Sequence, residues 1–446
     1  MRIAHITDLH LRHHLPGTAP IPKRRSRDAL ELFRSALADA RSRGAEVVAV
    51  TGDLVDIGDY LFDHERNPAA DARAWEAVRA DYRLIRDLLD ENGLPWIALP
   101  GNHDSQKVMT EVFGERPRIV EHGGVRFVSF WDREHLNHAP QRILADRRRF
   151  EAAVRDPDPM PQVHLQHFVI TPQLNDSYPH TYVEGEMLTE RMAASEKVVL
   201  SLSGHYHRGV APQRHGRTTF SVTPALTEAP HPYRIFDLDP QTHELQWEQV
   251  ELGTTTRPAV FLDRDGCINT LPTYHSGPEA MEIIPGAATG IRRLRDAGYR
   301  VVVVTNQTCV GIGYVTPGVL AEVHDRMGEL LAAEGAAVDA IYASTDAGDD
   351  GISPAYRTSG THKPEPTMLL RAAEDLDLDL ASSWMVGDRV TDVQAGLAAG
   401  ATPLLVRTGH GRRVEREWDE PLCEVVDDVA AVAATVLRHR EEAATP

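Results

Sequence analysis

The chain has 446 residues, 42% hydrophobic and 25% charged, a profile of two or three globular domains that each bury a core rather than of a disordered segment. Acidic residues outnumber basic ones 66 to 47, for a formal net charge of -19, which argues against tight nucleic-acid binding, because that draws affinity from phosphate neutralisation by Lys and Arg. Three scattered cysteines, Cys267, Cys309 and Cys423, support neither a disulfide framework nor a cysteine zinc site; no run approaches the ~18 apolar residues of a membrane span, and Met1 to Ile6 enters a strand pattern directly, so a cytoplasmic protein with no membrane partner is expected.

Residues 2–7 read as a first strand, followed by Asp8-Leu9-His10-Leu11 and a His- and Pro-rich loop from Arg12 to Pro22. A helix is expected over 28–43, with Leu30, Phe33 and Leu37 on one face and Gly44 as its stop. Glu46 to Thr51 is a short β-branched run that ends at Gly52 and delivers Asp53 and Asp56 to the carboxyl end of the strand, where open α/β sheets place their ligands. A polar insert at 57–67 and a helix over 72–90 lead to a strand at 96–99, closed by Pro100-Gly101-Asn102-His103-Asp104. Further strands are predicted at 125–130, at 163–166 before His167, and at 198–203 before Gly204-His205-Tyr206-His207, with late antiparallel strands at 218–222, 233–237 and 244–250. Residues 252–257 form a short polar linker closed by Pro258, which gives a first domain over 1–251.

Five strand ends in this half carry Asp8, His10, Asp53, Asn102, His103, His167, His205 and His207. Asp8 and His10 are two apart, as are His205 and His207, so in an extended backbone each pair points to one side. Carboxylate, imidazole and amide suit borderline divalent ions such as Mn, Fe or Zn, and the set is too large for one ion. A shared carboxylate would let two cations sit roughly 3.5–4 Å apart. His164 lies on the same run as His167 and stays an alternative ligand.

Asp8-Leu9-His10, Gly52-Asp53-Leu54-Val55-Asp56, Gly101-Asn102-His103-Asp104, His167 and Gly204-His205-Tyr206-His207 together resemble the five ordered motifs of the calcineurin-like metallophosphoesterases. The opening Ile6 to Leu11 is most similar to the branch containing cyclic-nucleotide phosphodiesterases. The resemblance implies that Asp8, His10, Asp53 and His207 hold one metal and that Asp53, Asn102, His167 and His205 hold a second, with Asp53 bridging. It further implies that His103 contacts the substrate phosphate or protonates the leaving oxygen, with Asp104 orienting it.

After Pro258 the pattern restarts: a strand at 259–262 before Asp263-Arg264-Asp265-Gly266, a helix over 287–297, and a strand at 300–304 before Thr305-Asn306-Gln307. A helix over 317–334, a strand at 340–343, a Gly- and Asp-rich loop before Lys363, a strand at 383–386 before Gly387-Asp388, and a last strand at 402–406 complete a second domain over 258–440, with a frayed tail at 441–446. Alternating strands and helices imply a parallel sheet covered on both faces. Of two carboxylates two apart, one can attack phosphorus while the other trades a proton with the leaving and attacking oxygens. Thr305 and Asn306 can hydrogen-bond phosphoryl oxygens, Lys363 can balance charge, and Asp388 and Asp392, one helical turn apart, can join Asp263 and Asp265 in holding Mg.

These motifs resemble the haloacid dehalogenase (HAD) superfamily of phosphatases, in particular the small, capless branch of histidinol-phosphate and heptose-bisphosphate phosphatases, over residues 258–412. Those relatives usually carry a cysteine-rich zinc loop before the lysine, whereas 344–361 contains no Cys. After Asn306-Gln307 they usually have a Gly and later an Arg, where this chain has Cys309 and Ile312. The fold expected is α/β in two domains, a metallophosphoesterase α/β/β/α sandwich followed by a Rossmann-like capless HAD domain. The function expected is a bifunctional phosphohydrolase acting on small-molecule phosphate esters, sugar phosphates or nucleotides. A nucleic-acid end-processing enzyme and a scaffold with one inactive phosphatase half are the alternatives.

Overall fold

In the strand Arg2–Ile6, Ile3 faces one core while Ala4 and Ile6 face another; in Val47–Thr51, Val47 and Ala49 oppose Val48 and Val50 in the same way. Side chains alternate along a strand, so these runs suit a sheet buried on both sides. The computed structural model describes residues 1–19, 21–58, 68–174, 178–271, 277–357, 360–418 and 420–444, so the polar insert expected at 57–67 lies mostly outside the described residues. The chain divides into two compact units, Met1–Leu15 with Arg24–Thr254 and Pro16–Lys23 with Thr255–Pro446.

The first unit stacks two sheets. One has the order Leu245–Glu251, Pro232–Leu238, Arg2–Ile6, Val47–Thr51, Trp96–Leu99, its last three strands parallel. The other runs Val210–His215, Thr218–Val222, Val198–Ser203, Gln162–Leu165, Val125–Ser129, Ile119–His122, with its four central strands parallel. Ile3, Leu99, Phe127, Leu165, Leu202 and Phe236 fill the space between them. Helices Ala29–Ser42 and Pro68–Asn92 cover the outer face of the first sheet through Phe33, Leu37, Val78 and Tyr82. Helices Leu144–Arg155 and Gly185–Ser195 cover the second through Phe150, Leu188 and Met192. This is an α/β/β/α sandwich.

The second unit is one parallel sheet in the order Ala340–Ser344, Arg300–Asn306, Ala259–Leu262, Trp384–Gly387, Thr402–Val406, Glu424–Val426. Ile291, Leu294, Val432 and Val436 pack on one face, and Leu369, Ala372 and Ala395 on the other.

Three expectations are corrected. Thr402–Val406 is not the last strand, because Glu424–Val426 adds a further one, too short to carry a strand pattern by itself. The predicted frayed tail is helical to Ala444, within Val429–Ala444, whose Val432 and Val436 anchor it to the core. Thr218–Val222 runs antiparallel to Val210–His215 but parallel to Val198–Ser203. The edge strands Ile119–His122 and Val210–His215 contain no fully buried residue and place their apolar residues next to each other, so no apolar alternation marks them.

Phe236 is fully buried between the two sheets. Phe236→Ala is expected to cost the first unit about 3–5 kcal/mol, read as a shift in its urea midpoint by near-ultraviolet circular dichroism. A shift equivalent to less than about 1 kcal/mol would show that the inter-sheet core is looser than this packing requires.

Candidate active sites

The loops that follow Arg2–Ile6 and Val47–Thr51 are laced together by backbone bonds: Asp8 N–H donates to the Gly52 carbonyl at 3.1 Å and His10 N–H to that of Asp53 at 2.7 Å. Asp8, His10, Asp53 and His205 have φ of 55°, 43°, 49° and 66°, a left-handed region that costs a non-glycine residue about 1–3 kcal/mol each. Backbone strain thus gathers on four of the residues expected to bind metal. Gly52, with φ of 96°, lies so close to the His167 ring that a Cβ there would overlap it.

These loops bring Asp8, His10, Asp53 and His207 together with all donor atoms within 4.8 Å, and likewise Asp53, His167 and His205, so Asp53 belongs to both groups. Nε2 of His10 and Nε2 of His207 face each other at 3.0 Å. Each lies 3.5 Å from a carboxylate oxygen, of Asp53 and Asp8 respectively. Nδ1 of His167 donates to the Thr51 carbonyl at 2.8 Å and Nδ1 of His207 to Glu228 at 2.7 Å, which leaves the Nε2 lone pairs turned into the site. Asn102 Oδ1 is 3.0 Å from Nε2 of His167. Nε2 of His205 is buried with no hydrogen-bond partner among the described residues. Burial alone would raise the Asp53 carboxyl, but His167, His103 and His10 outweigh it and hold it well below the usual carboxylate range. Opposed imidazole lone pairs and an ionised, shared carboxylate fit a pair of borderline divalent cations.

His164 is kept out of this group: its Nε2 is 2.9 Å from Gln162 Oε1 and its ring packs edge-on against Phe130. Asp104 is not placed to orient His103. Its carboxylate accepts from the N–H groups of Leu54, Val55 and Gly101 and from the Tyr82 hydroxyl, at 2.8–3.1 Å, and so pins the two loops to each other. Asp56 faces His103 instead, Oδ1 lying 3.2 Å from Nδ1, and Arg12 holds Asp56 from behind at 3.1 Å. Asp56 sat inside a motif without a role, whereas Glu228 had no sequence signal at all.

In the second unit Asp263 follows Ala259–Leu262, its N–H donating to the Val386 carbonyl at 2.8 Å. Asp263, Asp388 and Asp392 bring carboxylate oxygens within 4.8 Å. Buried Lys363 reaches Asp263 at 2.9 Å, Asp392 at 2.7 Å and the Val304 carbonyl at 2.8 Å. Burial raises the Asp263 carboxyl to about 6 against the pull of Lys363, and Asp388 is raised to about 6 by burial as well. Lys363 and the Arg389 guanidinium, 3.9 Å from Asp388 Oδ1, face three carboxylates; that Oδ1 has no hydrogen-bond partner among the described residues, and the pocket fits a hard cation such as Mg. Asp265, expected among the metal ligands, lies outside this cluster. Its oxygens accept from Arg264, Asn269 and Gln307 at 2.8–3.0 Å. Asn306 is fixed by two bonds to the Lys363 backbone, and Thr305 accepts from Gln307 at 3.0 Å. A cavity of about 800 Å³ opens over Asp263 and Asp265, with Asn306, Lys363, Arg389 and Arg413 in its wall.

Comparison with known proteins finds a match for each unit. The calcineurin-like phosphoesterase family matches residues 1–209, and the HAD-hydrolase-like family matches residues 361–432. The D-glycero-D-manno-heptose-1,7-bisphosphate 7-phosphatase of Thermosynechococcus vestitus is 38% identical over 190 residues, which covers 41% of this chain and 97% of that protein. The D-glycero-beta-D-manno-heptose-1,7-bisphosphate 7-phosphatase of Escherichia coli K12 is 37% identical over 161 residues, covering 36% and 84%. Among solved structures, the D,D-heptose 1,7-bisphosphate phosphatase of B. bronchiseptica, complexed with magnesium and phosphate, is 35% identical with a TM-score of 0.38, covering 41% of this chain and 99% of that one. The chain therefore belongs to the HAD-type phosphatases through its carboxy-terminal half, to which it joins a calcineurin-like phosphoesterase domain at the amino terminus.

Proposed function

We propose that the protein is a bifunctional phosphohydrolase, each unit cleaving phosphate esters of small metabolites at its own site. The observation that supports this best is that each half gathers its own ligand-type side chains: Asp53 joins two groups of ligand atoms in one unit, and Asp263 stands with Lys363, Asp388 and Asp392 in the other.

In the first unit Asp8, His10, Asp53, Asn102, His167, His205 and His207 would hold two divalent cations, Mn, Fe or Zn, which supply an activated water and neutralise the phosphoryl oxygens. His103, steadied by Asp56, donates the proton that the leaving oxygen needs as its bond to phosphorus breaks. In the second unit Mg would be held by Asp263, Asp388 and Asp392 and would screen the charge of the incoming phosphate. Asp263 forms a bond to phosphorus as the ester P–O bond breaks, and Asp265 gives its proton to the leaving alkoxide. Water then attacks phosphorus as its bond to the Asp263 oxygen breaks, Asp265 takes the water's proton, and inorganic phosphate leaves with Asp263 restored as a carboxylate. Lys363 keeps the Asp263 oxygen in place, and Thr305 and Asn306 stand where phosphoryl oxygens arrive. The cationic residues Arg389 and Arg413 in the cavity wall suit an anionic sugar phosphate, and the names of the relatives make heptose bisphosphates the first substrates to try.

A phosphate-release screen over phosphomonoesters, sugar bisphosphates and cyclic diesters tests this reading, and absence of turnover by metal-loaded protein would refute it. Asp53→Asn is expected to abolish the first activity and to loosen both cations, because a neutral amide bridges two cations poorly; elemental analysis showing full metal content with normal turnover would contradict the shared-ligand assignment. Asp263→Asn is expected to remove the magnesium-dependent activity, because an amide cannot become an acyl phosphate. Beryllium fluoride should be trapped by the parent protein and not by this variant.

A further inference from the structure

Arg24 lies in none of the motifs, at the end of the short helical turn Pro22–Arg24, yet its guanidinium stands at the edge of the first site. Nη1 is 3.7 Å from Oδ1 of Asp56, the oxygen that also faces Nδ1 of His103 at 3.2 Å and Nδ1 of His10 at 3.6 Å. That separation is an ion pair beyond hydrogen-bond length. Only 12% of the side chain is exposed, and its Nε is buried without a hydrogen-bond partner among the described residues.

Neutralising Asp56 does not require it. Arg12 already does so at hydrogen-bond distance, with Nε 3.1 Å from Oδ2 and Nη2 2.8 Å from the Asp56 carbonyl. A second guanidinium held beside two imidazoles, largely out of water and short of acceptors, is unfavourable unless an anion joins it. A phosphoryl group carries non-bridging oxygens that match the planar fork of Arg, and their charge is what a phosphoryl-transfer site must stabilise. We propose that Arg24 is a substrate-contacting residue of the first site, its guanidinium taking non-bridging oxygens of the phosphoryl group whose leaving oxygen His103 protonates. This rests on the hydrolase reading above, but it can fail separately.

The test uses the full chain loaded with manganese, in which an exchange-coupled pair reports the first site by electron paramagnetic resonance without turnover. Inorganic phosphate is titrated against that signal in the parent protein, Arg24→Gln and Arg24→Lys, with metal content measured in each. The expected result is unchanged manganese content, phosphate affinity about tenfold to a hundredfold weaker in Arg24→Gln, and an intermediate value in Arg24→Lys, which keeps the charge but loses the fork. Equal phosphate affinity in the parent and Arg24→Gln would overturn the proposal, as would loss of manganese from Arg24→Gln, which would make Arg24 a support of the metal ligands. A parent protein that binds phosphate through Arg24 but hydrolyses no ester would refute the hydrolase reading and leave the binding role of Arg24 standing.

Discussion

Both sites depend on the register of parallel strands. Ile6 pairs with Val50 in the first unit, so the two chains leave the sheet side by side, and Asp8 meets Gly52 just before Asp53. Leu262 pairs with Val303 on one side and Val386 on the other, which brings Asp263, Thr305 and Asp388 to one end of the second sheet. A slip of one residue would turn each of these side chains to the opposite face. The apolar alternation that fixes the register therefore fixes the chemistry too: Val48 and Val50 can be buried against the helices only if Asp53 emerges beside Asp8.

What the strands bring together is costly to keep together. Asp8, Asp53, Asp56 and the imidazoles of His10, His167 and His205 are buried in one unit, and Asp263, Asp388, Asp392 and Lys363 in the other. Burial disfavours isolated charge, so such groups persist where they are paired or bound to cations. The first unit partly answers with structure, through the Thr51 carbonyl on His167, Glu228 on His207 and Arg12 on Asp56. The second unit answers with Lys363, which reaches two of its three clustered carboxylates, and with the Arg389 guanidinium and the His410 N–H on the third. The remaining imbalance is what makes both places suited to cations and to phosphate esters.

Much of this was legible in the sequence, because the ligand-type residues sit at the ends of β-branched runs and the runs themselves announce the sheets. Asp8, Asp53, His205 and Asp263 could be located from that grammar alone. Residues that act through another side chain could not. The partner of His103 is Asp56 rather than the adjacent Asp104, a choice made by loop geometry and the Tyr82 hydroxyl. Glu228 meets His207 from 21 residues along the chain, and Arg24 meets Asp56 from the turn Pro22–Arg24, so no local spacing marks either contact. The exposed edge strand Ile119–His122 was silent for the same reason that it is tolerated there, since one face of it meets water.

The central claim is that one chain holds two separate cation-dependent phosphoester sites. Anomalous diffraction at the manganese edge, from crystals of the full chain loaded with manganese, tests it most directly. The account predicts two peaks roughly 3.5–4 Å apart flanking Asp53 and one further peak among Asp263, Asp388 and Asp392. A single peak at Asp53, or none at Asp263, would contradict it.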